Sequence, residues 1–367
     1  AAAMVSGPDL LLLDEPTAQL DPASEENFMN LLERLHREMG ITILMAEHTL
    51  ERMLGMADFL IVIKKGRIIA FGAVEDCLLH GGMKEGEIGL PVWLPLYLKS
   101  EKKRPVPLTF MEAKEWLEGL EDKEILRRES ALPKKSPMAA KQEKKPQIAM
   151  EAKDVWFEYP EHSGPVLRGM DICLLSGEVL GIVGGNGSGK TTLLKLIAGI
   201  AKPDEGKIKV KISEVAFLPQ DVEMLFLKDS VAEVLGGGKD AMKAWIGGEK
   251  EGEALADRHP YDLSGGEKQL LALSLLLRSS ADKKILLLDE PTRGLDLQWK
   301  RRLANLIASL QSEGKTILLV THDLEFAEAV TDRIALLFHG EIVECEDTEE
   351  FIKRGYFYTT ARERLLK

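Results

Sequence analysis

The stretch that decides the fold is Val179-Leu180-Gly181-Ile182-Val183-Gly184-Gly185-Asn186-Gly187-Ser188-Gly189-Lys190-Thr191-Thr192, which runs into an apolar helical stretch at 193–198. A short apolar run, a glycine-rich turn matching GxxxxGK[ST] and a helix, in that order, form the context in which this pattern binds phosphate. Gly184, Gly185, Asn186, Gly187, Ser188 and Gly189 let consecutive backbone N–H groups turn inward as an anion-binding nest at a helix N-terminus. Lys190 adds a point charge for the outer phosphates. The Thr191 hydroxyl is placed to hold Mg2+, and Thr192 closes the binding stretch.

Working outward, the chain supplies the parts such a loop needs. Asp289 ends the run Ile285-Leu286-Leu287-Leu288-Asp289, which reads as a buried parallel strand, and its carboxylate can hold Mg2+ through water. Glu290, the next residue, can polarise an attacking water. Gln220 closes Val215-Ala216-Phe217-Leu218-Pro219-Gln220 and is a candidate sensor of metal and water. His322 follows the strand at 316–320 and is a candidate contact for the terminal phosphate. A lone His or Gln is more often structural, but order and spacing beside a phosphate loop reverse that preference.

The strand bearing Asp289 has a twin. Leu10-Leu11-Leu12-Leu13-Asp14-Glu15-Pro16-Thr17 returns as Ile285-Leu286-Leu287-Leu288-Asp289-Glu290-Pro291-Thr292, 275 residues later, and Leu20-Asp21 returns as Leu295-Asp296. His48 returns as His322 at an offset of 274, and the turns Lys65-Gly66-Arg67 and His339-Gly340-Glu341 keep that register. Four matched features in one order identify an internal repeat. Residue 1 then corresponds to about residue 276, so about 125 to 130 residues of the first copy are expected to lie outside these 367.

On this reading residues 1–80 are the C-terminal part of a first domain, truncated here, 81–147 a linker with one short helix, and 148–367 a complete second domain. Pro91, Pro95, Pro105 and Pro107 break the early linker. The spacing predicts a helix from Thr109 to Leu120, with Thr109 and Glu112 at capping-box positions. The lysine- and proline-bearing run at 127–147 reads as a solvated tether, with anionic lipid headgroups or a partner as the other reading.

Leu263-Ser264-Gly265-Gly266-Glu267-Lys268-Gln269 opens a further helix, with Ser264 at its N-cap. The order of phosphate loop, glutamine, LSGGEKQ, LLLDEP, GLD and TH resembles the ATP-binding cassette (ABC) ATPases, over residues 148 to about 345. That resemblance implies an α/β fold of P-loop NTPase type: an ABC nucleotide-binding domain with a RecA-like core and a helical signature subdomain, here in tandem. It implies ATP and Mg2+ as cofactors and two cassettes sandwiching two nucleotides head to tail. Ser264, Gly265 and Gly266 of one cassette would face the γ-phosphate on the other. Tyr159 matches the aromatic position that stacks on adenine. Phe157 and Trp156 are neighbouring alternatives, and strand packing is the plainer reading for all three. In the first copy Asp14 matches the metal-linked aspartate, Glu15 the catalytic glutamate, Asp21 the inter-cassette aspartate and His48 the switch histidine. A parent with two hydrolysis-competent sites is expected.

Pro16-Thr17-Ala18-Gln19-Leu20-Asp21-Pro22, the run at 217–231 and Phe357-Tyr358-Thr359-Thr360 resemble the fused ATPase subunits of energy-coupling factor (ECF) importers. This implies uptake of a vitamin or a metal ion, with a membrane coupling subunit and a substrate-binding membrane subunit as partners, at the cytoplasmic face of the cell membrane. The segment 221–252, with Met224, Leu225 and Phe226, is the expected contact surface, unless those three pack into a core. Soluble twin-cassette ATPases acting on ribosomes are the alternative, but they join their cassettes by a long charged helical arm. Duplicated sugar-importer ATPases imply one degenerate half, whereas Glu15 and Glu290 are both present.

Composition agrees with this reading. There are 48 Lys plus Arg against 60 Asp plus Glu, a net charge of -12 that argues against a wholly phosphate-binding surface, so no nucleic-acid partner is expected. Three widely spaced cysteines offer no disulfide or zinc framework. No apolar run approaches the roughly 20 residues that span a bilayer.

Overall fold

The computed structural model describes residues 7–17, 20–47, 50–64, 66–80, 89–100, 105–119, 132, 147–160, 164–237, 245–246, 248–279, 282–355 and 358–367. The chain divides into two compact units. One comprises Ala1–Ala131, Asp296–Trp299 and Thr359–Lys367, and the other Leu132–Leu295 and Lys300–Tyr358.

In the first unit β1 (Leu10–Asp14) leads through α1 (Pro22–Met39) to β2 (Thr42–Ala46), which pairs parallel with β1. The Asp21 side chain accepts the Ser24 N–H and starts α1. Gly40, at φ 69, ends it by returning its N–H to the last carbonyls. Leu11, Met29, Leu32 and Ile41 form the core beneath. An antiparallel hairpin follows, β3 (Phe59–Lys64) with β4 (Arg67–Ala73), then α2 (Val74–His80).

Two short helices come next, α3 (Leu94–Lys99) and α4 (Phe110–Glu118). The second is the helix the Thr109 capping box predicts, and both halves of that box form; Leu120 lies outside the described residues. The first differs from the expectation that Pro91 and Pro95 break the early linker. Pro95 sits in the first turn of α3, where no intrahelical N–H is required, so it starts a helix instead of breaking one. Trp93, Tyr97, Ala113, Trp116 and Leu117 pack with Leu50, Leu54, Val74 and Leu365 into one core. Residues 89–100 and 105–119 are therefore folded structure. The rest of the basic run, apart from Leu132, lies outside the described residues up to position 147.

The second unit holds a six-stranded sheet in the order β13-β12-β7-β11-β10-β9 and an antiparallel sheet in the order β6-β5-β8. The antiparallel strands are β5 (Ile148–Phe157), β6 (Leu167–Leu175) and β8 (Glu205–Lys209). The large sheet comprises β7 (Val179–Val183), β9 (Val215–Leu218), β10 (Ile285–Asp289), β11 (Thr316–Val320), β12 (Arg333–Phe338) and β13 (Glu341–Asp347). Of these only β13 runs antiparallel to its neighbour. β7, β10 and β11 are buried along their whole length, as strands covered on both faces must be. The core lies between the two sheets and is sealed by α5 (Lys190–Ile197), through Leu193, Leu194, Leu196 and Ile197. Besides short helical turns at Val231–Val234 and Glu249–Glu253, the longer helices that follow are α6 (Gly265–Ser279), α7 (Leu297–Ser312), α8 (Leu324–Val330) and α9 (Thr348–Arg354). The last helix, α10 (Ala361–Leu366), falls in the first unit and packs on α4.

The repeat read from sequence appears in the register. Leu10 opposes Thr42 as Ile285 opposes Thr316, and Phe59 opposes Ala73 as Arg333 opposes Asp347. Both hairpins are irregular at the same place, Val62/Ile63 and Leu336/Leu337. One difference stands out: β7 joins β11 to β12 in a single sheet, whereas β1–β2 and β3–β4 are separate pairs.

Candidate functional site

Parallel strands in a twisted sheet place their C-terminal ends, and the loops that follow, along one rim, which is where α/β proteins bind ligands. Here β7 sits at the centre and delivers residues 184–189 to that rim before α5 begins. The loop fits tightly. A Cβ on Gly184 would collide with the Leu337 carbonyl, and one on Gly189 would lie 2.7 Å from Leu167 Cδ2. Lys190 is buried, and its ammonium donates to the carbonyls of Gly184 (2.8 Å) and Gly185 (2.9 Å), turned back over its own loop. The Ser188 hydroxyl is buried without a hydrogen-bond partner.

Asp289, at the end of β10, is 1% exposed, and no well-formed hydrogen bond reaches its carboxylate oxygens, the Thr191 hydroxyl making only a marginal one. Burial pushes its pKa up to about 6, with the nearby Glu290 adding to the rise and the Thr191 hydroxyl and Lys190 ammonium opposing it. A buried carboxylate met only by a threonine hydroxyl, with a lysine nearby, fits a hard oxygen-seeking cation that keeps water and phosphate among its ligands. Among the described residues no group of three or more His, Cys, Asp or Glu could hold a metal alone.

Glu290 follows directly and adopts φ 49, the left-handed region that a glutamate seldom enters. Its N–H is held by the Val320 carbonyl at 2.9 Å. The carboxylate Oε2 meets His322 Nδ1 at 2.9 Å and the His322 N–H at 3.4 Å, joining the ends of β10 and β11. Burial disfavours the His322 imidazolium, but the hydrogen bond and charge of Glu290 overcome it, so the histidine pKa is raised. Asp323 is stabilised as the anion in spite of its burial by Lys300 at 2.7 Å, and it caps α8 through the Phe326 N–H. The repeat gave no hint of that pair, because Thr49 stands at the position of Asp323.

The first unit reproduces the same backbone device. Glu15 has φ 42, and its N–H is held by the Ala46 carbonyl at 2.9 Å. Asp14 ends β1 as Asp289 ends β10, and Asp21 caps α1 as Asp296 caps α7. His48 lies outside the described residues, as do Lys65 and Phe357.

Other expected residues fall as follows. The Tyr159 hydroxyl is 3.3 Å from Thr192 Oγ1, and its ring meets Phe157 edge to face, so it stands beside the phosphate-loop helix. Trp156 is drawn instead to Asp154 by its indole N–H. Ser264 forms a capping box with Glu267 at the start of α6 ahead of Gly265 and Gly266, and Gly266 abuts the Gly294 carbonyl. Gln220 is exposed two residues past β9 and is not brought into hydrogen-bond contact with Asp289 or Glu290. Met224 is exposed, whereas Phe226 two residues on is buried, so the expected apolar surface splits between face and core.

A phosphate loop at the end of a central strand, a buried aspartate and a glutamate–histidine pair on the adjacent strands define a nucleotide-hydrolysing cassette. The chain belongs to the family of ABC transporter ATP-binding proteins, and it is an ATPase that binds ATP. The ABC transporter family matches residues 167–293. A relative named as an ABC transporter ATP-binding protein, from Bacillus thuringiensis subsp. konkukian (strain 97-27), is 35% identical over 395 residues, covering 100% of this chain and 68% of that protein. Another of that description, from Clostridium tetani, is 30% identical over 393 residues and is covered over 84% of its length. The Bacillus subtilis (strain 168) protein YkoD, named for HMP/thiamine import, is 30% identical over 356 residues, covering 92% of this chain and 62% of YkoD. Among solved structures, cbiO1 from Clostridium perfringens has 25% identity and a TM-score of 0.48, covering 57% of this chain and 92% of that one. Among the described residues no helix is long and apolar enough to cross a membrane.

Proposed function

We propose that this chain is the ATP-hydrolysing part of an ECF-type importer, carrying one complete cassette and the C-terminal part of another, which together with the rest of the parent power uptake of a vitamin or a metal ion. Its partners would be a membrane coupling subunit and a substrate-binding membrane subunit, with the chain on the cytoplasmic face. The observation that carries this reading is the repeated left-handed glutamate, Glu15 and Glu290, each tied by its N–H to the end of the neighbouring strand. Keeping a strained conformation twice at one place supports a working base in both copies and disfavours a scheme with one degenerate half. The likeness to a protein named for HMP/thiamine import supports the vitamin branch.

Within the second copy, residues 184–192 bind the phosphates. Thr191 and Asp289, with Gln220 after closure, would hold Mg2+, which when bound neutralises phosphate charge. His322 occupies Glu290 Oε2, which leaves Oε1 to accept a proton from water as the water attacks. Tyr159 offers its ring to adenine. Ser264, Gly265 and Gly266 serve the nucleotide of an opposing cassette, and Asp14, Glu15 and His48 have the parallel roles in the first copy. Residues 1–80 would belong to that first cassette, 81–147 to the connection, and 148–367 to the second.

Affinity purification of the full-length protein from detergent-solubilised membranes, with partners identified by mass spectrometry, tests the assignment. Stoichiometric recovery of integral membrane subunits whose ligand uptake stops in a Glu15→Gln/Glu290→Gln variant is the expected result. Co-sedimentation with ribosomes and no membrane subunit would overturn it.

A further inference from the structure

We propose that Gly340, in the turn between β12 and β13, is a positioning residue for the phosphate loop, acting through Val166 and Leu167. This rests on the nucleotide reading of residues 184–192. Gly340 has φ 86, and a Cβ there would lie 2.5 Å from the Val166 carbonyl oxygen and 3.1 Å from Leu167 Cα. Its own carbonyl accepts the Arg168 N–H at 3.0 Å. Gly189 is held against the same two residues, for its Cβ would lie 2.7 Å from Leu167 Cδ2 and 3.2 Å from the Val166 oxygen. Gly189 is followed at once by Lys190 and Thr191. At the other end of the loop Gly184 abuts the carbonyl of Leu337, on β12 of the same hairpin. The β12–β13 hairpin thus backs the first glycine of the loop directly and the last one through half-buried Val166 and buried Leu167. In a close-packed interior a displacement at the turn is passed on to the loop, and ligand sites tolerate only about 0.5 Å of misplacement.

The repeat supplies an internal control. Gly66 lies 274 residues earlier, in the turn of the β3–β4 hairpin, with φ 73 and nothing within 4 Å of an added Cβ. Alanine at either site meets the same backbone penalty, but only at Gly340 does it meet Val166.

The test compares the full chain with Gly340→Ala, Gly340→Asn and Gly66→Ala. Asparagine tolerates the left-handed backbone but keeps the Cβ. Affinity for a fluorescent ATP analogue with Mg2+ and the thermal midpoint are both measured. We expect both Gly340 variants to bind about tenfold more weakly or worse, while Gly66→Ala stays within about twofold. Folded Gly340 variants that lose thermal stability yet bind as wild type would overturn the proposal. Should they not fold, hydrogen exchange on the wild-type chain decides: added nucleotide is expected to slow exchange at the Arg168 N–H together with residues 184–192. Slowing in the loop with no change at Arg168 would overturn the proposal. A wild-type chain that binds no nucleotide would instead bring down the nucleotide reading itself.

Discussion

Replacing Asp289 by asparagine is expected to change how the stability of the second unit depends on pH, by an amount the structure sets. Asp289 is almost wholly buried, only the Thr191 hydroxyl reaches it, marginally, and its pKa stands at about 6 against an ordinary 3.8. A group whose folded-state pKa is raised stabilises the fold fully below its unfolded value and loses that contribution as pH climbs through the folded one. For Asp289 the window runs from about pH 4 to pH 6, above which the ionised carboxylate destabilises the fold. At 1.36 kcal/mol per unit the displacement corresponds to about 3 kcal/mol. The side-chain amide of the Asp289→Asn variant does not titrate, and any penalty for its own unpaired atoms is the same at every pH. The stability difference between Asp289→Asn and wild type should therefore grow in the variant's favour by about 3 kcal/mol between pH 4 and pH 7.5. Native-state hydrogen exchange at the β7, β10 and β11 amides reads this locally, without assuming that the whole chain unfolds in one step. Added Mg2+ and nucleotide should reverse the order, because a cation on the carboxylate repays its desolvation only in wild type. Parallel pH profiles for the two proteins would refute the reasoning, since they would mean that Asp289 is not a desolvated carboxylate awaiting a cation.

In NMR titrations His322 is expected to titrate at lower pH in Glu290→Gln than in wild type, because the carboxylate is what raises its pKa against burial. Thr109→Ala removes one half of the α4 capping box and should destabilise the first unit by about 1 kcal/mol in denaturant titration. Trp93→Ala deletes a fully buried ring that also donates to the Pro107 carbonyl at 2.9 Å. That change should cost about 3 to 5 kcal/mol and open residues 89–100 and 105–119 to limited proteolysis, which a segment without a core would already permit in wild type.

The phosphate loop was legible because its chemistry leaves little freedom: Gly184 against the Leu337 carbonyl and Gly189 against Leu167 admit no larger residue. The repeat was legible for a related reason, since β1 and β10 carry near-identical residues in one register against their partner strands. The helix at Leu94–Lys99 was not legible because a proline reads as a breaker without regard to position, and Pro95 occupies a turn that tolerates it. Its core also draws on Trp93, Tyr97 and Trp116 together with Leu365, about 250 residues further on, and no local pattern announces a pairing so distant. The split between exposed Met224 and buried Phe226 depends on the surrounding fold, not on their chemistry. Nor does any residue-type rule foretell that Glu15 and Glu290 enter the left-handed region, which follows from anchoring their N–H groups to the adjacent strands.

The most direct test of the account is the fate of ATP on the Glu290→Gln chain. Wild type and variant are loaded with ATP and Mg2+ at concentrations high enough for two chains to pair, and bound nucleotide is analysed over time. The account predicts that both bind ATP, that wild type converts it to ADP, and that the variant retains it with hydrolysis slowed about 100-fold or more. Conversion by the variant at the wild-type rate would contradict the assignment of Glu290 as the base.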